Sequence, residues 1–182
     1  MRRAACMNPF RLPKRLKALA DMIGTYCLSL PADAPRTLAD IGCDHAHLPL
    51  YLLREGVISY AVASDANAGP LRRAEENTAA AGFSERIRIV CADGLKGLLP
   101  GEVRMAVIAG MGGETIREIL DPEETERTLL TDFFLSPQSK AAVLQSFLDE
   151  QGYDTVDART VEDRGKRYLL WHVRRQRKGE SQ

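Results

Sequence analysis

The stretch Leu38-Ala39-Asp40-Ile41-Gly42-Cys43-Asp44-His45-Ala46-His47-Leu48-Pro49 (LADIGCDHAHLP, 38–49) decides the fold. Its first part belongs to Thr37–Gly42, a short apolar run bounded by a glycine, which reads as a buried strand. Its second part opens His45–Glu55, whose apolar spacing predicts a helix with Pro49 close to the start. A buried strand that turns at a glycine into a helix is the opening unit of an α/β sheet.

The same alternation continues along the chain. Strands are predicted over Ser59–Asp65, Arg86–Asp93, Met105–Ala109 and Asp132–Leu135. Helices are predicted over Gly69–Ala81, ended by Gly82, over Glu114–Leu120, and over Ser139–Glu150, ended by Gly152. Ahead of the first strand, Leu12, Leu16, Leu19, Ala20 and Ile23 form one helical stripe, and Pro13 suits its first turn. Pro31 to Pro35 read as a linker. The end of the chain departs from this pattern. Thr155–Arg159 and Tyr168–Val173 are two strands joined by the polar stretch Glu162–Arg167, hence an antiparallel hairpin. The expected fold is α/β: a mostly parallel seven-stranded sheet with a C-terminal antiparallel hairpin and helices on both faces. Residues 1–10 read as a loose extension, 11–174 as one domain and 175–182 as a basic polar tail.

Composition narrows the class. A chain of 182 residues suits one such domain. No apolar run approaches the roughly 20 residues that span a bilayer, and the start lacks a signal-peptide core. Cys6, Cys27, Cys43 and Cys91 show no CxxC spacing and read as reduced thiols of a cytoplasmic protein, two of them in strands. The 25 basic residues balance the 25 acidic ones, which argues against a chain that grips nucleic acid with its whole surface. Local basic clusters remain: Arg11, Lys14, Arg15 and Lys17 around the first helix, and Arg174, Arg175, Arg177 and Lys178 at the end.

Three successive strands each finish with an acid. In open α/β sheets ligands bind outside the carboxyl ends of the strands. Asp40 and Gly42 match the first half of the acid-x-Gly-x-Gly motif of class I methyltransferases, with Asp44 in place of the second glycine. A dinucleotide fingerprint would cradle a pyrophosphate at this point. An added carboxylate there favours a cationic ligand without phosphate, such as S-adenosylmethionine, which carries a sulfonium and an ammonium. The competing reading makes Asp44 the N-cap of the next helix. Asp65 ends the second strand, where a carboxylate accepts from both hydroxyls of a ribose. Asp93 and Gly94 end the third, where an aspartate can accept from the adenine amine; a surface turn is the alternative. After the fourth strand, Gly110, Gly112 and Gly113 around Met111 leave room for a flat substrate, against the plainer reading of a flexible turn with Met111 as core filler.

His45 and His47 with Asp44 invite a metal reading. On a helix, residues two apart point about 200° away from each other, and barrel hydrolases with such a pair need about 250 residues. No metal is expected. His172, beside Trp171 in the last strand, reads as structural.

ADIG-x-DHA-x-LP and AGMGG, with LPKRLKALADMI (12–23), AVASDANAGPLRRAEEN (61–77), CADGLKGL (91–98) and LDEQGYDTVDARTVEDRGKRYLLWHV (148–173), resemble the bacterial tRNA (adenine(22)-N1)-methyltransferases. The resemblance covers about residues 12–173. It implies a Rossmann-like class I fold, S-adenosyl-L-methionine as cofactor and methyl transfer to N1 of an adenine in tRNA. By position it puts Asp40, Gly42 and Asp44 around the methionine part, Asp65 at the ribose, Asp93 and Gly94 at the adenine, and Gly110 to Gly113 at the entry of the target base. His45 becomes a candidate for cofactor or substrate contact, and Asp44, His45, Met111 and Gly112 are the candidates nearest the chemistry. Members of that family continue past the last strand into a helical, coiled-coil-like part; this sequence stops at Gln182 without it. LSPQSKAAV (135–143) and Pro13 also depart from the family pattern. A small-molecule methyltransferase, and a cofactor- or RNA-binding protein without catalysis, are the alternatives.

Overall fold

A computed structural model describes residues 12–176. Helix α1 (Lys14–Ser29) precedes strand β1 (Thr37–Ile41), and α2 (His47–Arg54), β2 (Tyr60–Asp65), α3 (Ala68–Ala81) and β3 (Ile87–Cys91) follow. Then come β4 (Met105–Ala109), α4 (Gly113–Ile119), α5 (Pro122–Thr128), β5 (Asp132–Ser136), α6 (Ala141–Glu150), β6 (Tyr153–Asp163) and β7 (Lys166–Arg175). The seven strands form one sheet in the order β3-β2-β1-β4-β5-β7-β6. β1 to β5 are parallel, and β7 is antiparallel to both its neighbours.

The sheet is packed on both faces. On one, Leu19, Met22 and Ile23 of α1, Leu50 and Leu53 of α2 and Leu71 of α3 join Leu38 and Met105. On the other, Ile116 of α4 and Leu144 and Leu148 of α6 join Ile41, Ile108 and Phe133. Alternate residues of β1 serve opposite clusters, as a strand between two helical layers requires. The chain runs outward from β1 to β3, then crosses back to β4 on the other side of β1. The order therefore reverses between β1 and β4, and a crevice opens outside their carboxyl ends.

Several boundaries differ from the sequence reading. Pro13 is the residue before α1 rather than in its first turn, and its carbonyl accepts the Lys17 N–H at 2.9 Å. α2 starts two residues later than expected, because Asp44 (φ 52°) and Ala46 (φ 57°) hold left-handed backbone that cannot continue into a helix. α5 went unanticipated because its sequence, PEETERT, has no apolar stripe; its buried positions are Thr125 and Thr128. Asp121 caps it, accepting from the N–H groups of Glu123 and Glu124, with Pro122 in the first turn. The hairpin is longer than expected. Most of Glu162–Arg167 is strand, and only Arg164 (φ 51°) and Gly165 (φ 73°) turn, the two positive values a tight hairpin needs. Of the four cysteines, only Cys91 stands in a strand among the described residues. Cys27 is in α1, Cys43 follows β1, and all three are free thiols. Arg175 belongs to β7 rather than to a tail, while Cys6, Arg11, Arg177 and Lys178 lie outside the described residues.

The amino end of the sheet is tied by one carboxylate. Asp132, at the start of β5, is buried and accepts from Tyr26 Oη and Thr131 Oγ1 on one oxygen, each at 2.9 Å. Its other oxygen takes His172 Nε2 at 2.8 Å and Arg174 Nε at 2.9 Å. Burial alone would raise its pKa. The hydrogen bonds from His172, Arg174, Thr131 and Tyr26 outweigh that and hold it down at about 2. His172 is structural, as expected, and its ring also stacks on Phe134 at 4.4 Å.

Asp132→Asn leaves the shape and removes the charge that His172 and Arg174 bind. The expected cost is about 2 kcal/mol or more at pH 7, read as a lowered urea midpoint. The stabilisation is present above the ordinary carboxyl pKa and is lost as pH falls through about 2, so the two proteins should converge in stability in acid. Equal midpoints at pH 7 would remove this carboxylate from the account of stability.

Candidate active site

The crevice is built from the ends of β1 and β4. Asp40 points to the α1–α3 face of the sheet, between Val107 of β4 and Ala63 of β2 in the register. It lines a cavity of about 230 Å³ together with Gly42, Asp44, His47, Gly110 and Gln138. Among the described residues, no hydrogen bond or ion pair reaches its carboxylate. Burial, then the nearby charges of Asp65 and Asp44, push its pKa up to about 7. A buried carboxylate with no donor is costly, and here it faces a cavity and two more acids.

The loop that follows holds this arrangement. The N–H groups of Gly42 and Cys43 both donate to the Ser64 carbonyl, at 2.8 and 3.0 Å, which pins the loop over the end of β2. Gly42 has φ 72°, and a Cβ on it would collide with the thioether methyl of Met111. Asp44 has an exposed carboxylate, and its N–H donates to Asp65 Oδ2 at 3.4 Å. The N-cap reading of Asp44 does not hold: Ala46 occupies that position, with no side-chain cap. Asp65 also accepts from the Asn67 N–H at 2.9 Å, which orients it on the rim.

The remaining sequence candidates divide. Asp93 and Gly94 line a second cavity, of about 320 Å³, at the same edge on the face that carries α4. Asp93 is exposed and meets Lys96 at 3.4 Å. Of the glycine run, Gly110 (φ 86°) opens onto the first cavity, with Gln138 Nε2 standing 3.6 Å from where a Cβ would lie. Met111 covers Gly42 and packs into the α4–α6 core cluster. Gly112 precedes α4 beside Ser139, and a Cβ on Gly113 would collide with the Lys140 carbonyl. Gly113 is thus a packing glycine that lets α4 meet α6.

His45 is not on α2, so the helical argument about the two imidazoles fails. Its ring meets His47 edge-on at 5.7 Å. Its Nδ1 is buried 3.4 Å from Asp44 Oδ1 without hydrogen-bond geometry, and its carbonyl accepts from Asn77 at 3.0 Å. His47 lines the cavity, and burial, then the neighbouring His45, lowers its pKa. Among the described residues, no group of three or more His, Cys, Asp or Glu side chains could hold a metal ion. Sequence reasoning missed His47 and Gln138 as lining residues. The signal for Gln138 was available, since it follows β5 at the carboxyl edge where β1 and β4 already carry site residues.

Arg15 of α1 also lines the cavity, whereas Lys14 and Lys17 are exposed on the same helix. Lys17 is paired with Asp21. Arg11 lies outside the described residues.

Residues 12–171 match the family described as Methyltransferase domain. The chain belongs to that family. This methyltransferase domain is 33% identical over 162 residues to the tRNA (adenine(22)-N(1))-methyltransferase of Bacillus subtilis, covering 89% of this chain and 64% of the relative. It thus spans a little under two thirds of that relative's length. Among solved structures it is similar to the B. subtilis m1A22 tRNA methyltransferase TrmK, with a TM-score of 0.79, 30% identity and coverage of 92% of this chain and 68% of the other. Streptococcus pneumoniae Sp1610 in complex with S-adenosyl-L-methionine gives a TM-score of 0.80 at 29% identity, covering 93% and 76%.

Two results are expected of the isolated domain. Because the folded pKa of Asp40 lies above its unfolded value, its contribution to stability is greatest below about pH 4 and is lost as pH rises through about 7, by up to ~4 kcal/mol. Asp40→Asn should flatten that decline in urea unfolding without ligand; an unchanged pH profile would show that Asp40 is not the group responsible. Gly42→Ala should lower the melting temperature through left-handed strain and the Met111 collision, with partial recovery in Gly42→Ala/Met111→Ala. A wild-type melting temperature in the single variant would contradict the close approach.

Proposed function

We propose that this chain is an S-adenosyl-L-methionine-dependent methyltransferase that modifies N1 of an adenine in tRNA, at adenosine 22, in the cytoplasm. The observation that carries the cofactor reading is the unpartnered, buried Asp40 carboxylate at the strand-order reversal, flanked by Asp44 and Asp65. The substrate reading is supported by the similarity to the B. subtilis enzyme.

The donor set suits a cationic nucleoside. Asp40 and Asp44 supply negative charge beside Gly42, where the missing Cβ lets backbone approach the ligand. Asp65 stands on the rim, where a ribose diol would meet a carboxylate, and Asp93 with Gly94 provides a place for the adenine further along the edge. When bound, the cofactor supplies an electrophilic methyl group on sulfur and leaves as the neutral thioether. The adenine N1 lone pair forms the new bond, so the positive charge ends on the base.

That charge bookkeeping limits what the acids do for the rate. A positive charge stands near Asp40 and Asp44 both before and after transfer. Their attraction therefore contributes more to binding than to lowering the barrier. Orientation of the base supplies the rate instead. Gly110 leaves the space, and the Gln138 amide beside it can both donate to and accept from a base edge. Asp44, exposed at the mouth, is the acid best placed to stay beside the methylated base. Arg15, Lys14 and Lys17 of α1 offer phosphate contacts at the rim.

Incubation with labelled S-adenosyl-L-methionine and unmodified tRNA transcript, followed by nucleoside mapping, should yield 1-methyladenosine. Label found only on small metabolites would overturn the substrate, and no transfer at all would overturn the activity. Calorimetry should show Asp65→Ala weakening S-adenosylhomocysteine binding by at least ~10-fold. Wild-type affinity should rise from pH 6 to 8, because the ammonium of S-adenosylhomocysteine selects the ionised form of Asp40. A flat pH dependence would detach Asp40 from the cofactor.

A further inference from the structure

The β6–β7 hairpin is an arm that overhangs the site. β5 pairs with β7 only from Trp171 to Arg174, whereas β6 and β7 remain paired up to Asp163 and Lys166. The distal five residues of each strand lie beyond this pairing, and the arm projects by about 13 Å past Ser136, the last residue of β5. α1 braces the arm. The Arg15 N–H donates to Asp163 Oδ2 at 3.3 Å, and the Arg15 guanidinium lies over the Tyr168 ring at 5.1 Å. Between the arm and α1 runs a groove of about 340 Å³, lined by Arg164, Lys166 and Arg167 of the arm. It shares Arg15 and Gln138 with the Asp40 cavity, so the groove leads into the site.

The charges are sorted. Among the described residues, Arg164, Lys166 and Arg167 are exposed and make no ion pair, although Glu162 faces Arg167 across the ladder. Asp163, the acid in the groove, is engaged by the Arg15 backbone. If these cations served only to guard the free edge of the sheet against strand pairing, they would lie along β6. That strand instead carries Asp154, Asp157, Glu162 and Asp163, its one cation, Arg159, is paired with Asp157, and the unpaired cations stand on the turn and the start of β7.

We infer that the β6–β7 arm is a phosphate track, which holds the backbone of the RNA substrate beside the cavity so that one base reaches Gly110 and Gln138. The inference rests on the RNA reading above and adds the surface that delivers the substrate. Unpaired cations on a two-stranded arm braced by α1 bind phosphates without sequence preference, which leaves base selection to the cavity.

The test is binding of unmodified tRNA transcript followed by fluorescence anisotropy over a range of KCl concentrations, with S-adenosylhomocysteine affinity as the check on folding. In Arg164→Ala/Lys166→Ala/Arg167→Ala, tRNA affinity should fall ~10-fold or more and the salt slope should become shallower by about 3, one per lost phosphate contact. Cofactor affinity should stay at the wild-type value. Unchanged tRNA affinity and slope in the variant would overturn the arm while leaving the methyltransferase reading intact. If the wild type binds tRNA but transfers no methyl group, and the triple variant loses that binding, the arm stands and the activity is rejected. A wild-type protein that binds anionic vesicles and no tRNA would overturn the inference.

Discussion

The structure turns on a carboxylate buried without a partner. Asp40 belongs to the central strand of the sheet, between β2 and β4, largely buried and opening only onto the cavity. Ionised, it carries the desolvation cost of a buried charge and the repulsion of Asp44 and Asp65; protonated, it gives up its attraction for cations. The surrounding backbone does nothing to relieve it. The amides of Gly42 and Cys43, the nearest donors in sequence, are spent on the Ser64 carbonyl. A positive charge placed beside it would remove this cost, and the free energy so released would appear as binding.

The opposite edge of the same sheet shows what the fold does when a carboxylate is only structural. Asp132 is as buried as Asp40, yet Tyr26, Thr131, His172 and Arg174 all donate to it. One aspartate is held near a pKa of 2 and the other near 7. The difference lies in donor supply and not in depth. Antiparallel β7 brings His172 and Arg174 onto Asp132 at the amino edge, while His47 and Gln138, which follow parallel strands at the carboxyl edge, line the cavity without hydrogen-bonding Asp40. The topology itself thus separates a satisfied carboxylate from an unsatisfied one.

Much of this was legible in the sequence where periodicity and strand ends carry the information. β4 runs over Met105–Ala109 as read, Gly82 ends α3 with φ 74°, and the acids at 40, 65 and 93 all sit at the carboxyl edge. What escaped depended on neighbours distant in sequence. Nothing local distinguishes Gly110, which faces the cavity, from Gly113, which exists because the Lys140 carbonyl passes over it. His45 looked helical because left-handed backbone at two non-glycine residues has no compositional mark. The polar run Glu162–Arg167 read as a loop because a two-sided exposed hairpin shows no apolar alternation. Only its pairing reveals an arm.

Zero net charge is compatible with the RNA binding proposed above, because the charges are segregated over short distances. Asp40 and Asp44 line the cavity with Asp65 at its rim, and the unpaired cations of the arm stand beside it with Arg15 of α1. A phosphate drawn to the arm is repelled from the cavity by Asp40, Asp44 and Asp65, whereas an uncharged base is not. At physiological ionic strength the screening length is about 8 Å, so two fields of opposite sign can act side by side without cancelling. On the proposed function, such a charge layout would sort a nucleotide into its parts, with the backbone held outside, the base admitted and a cationic donor kept where the acids are densest.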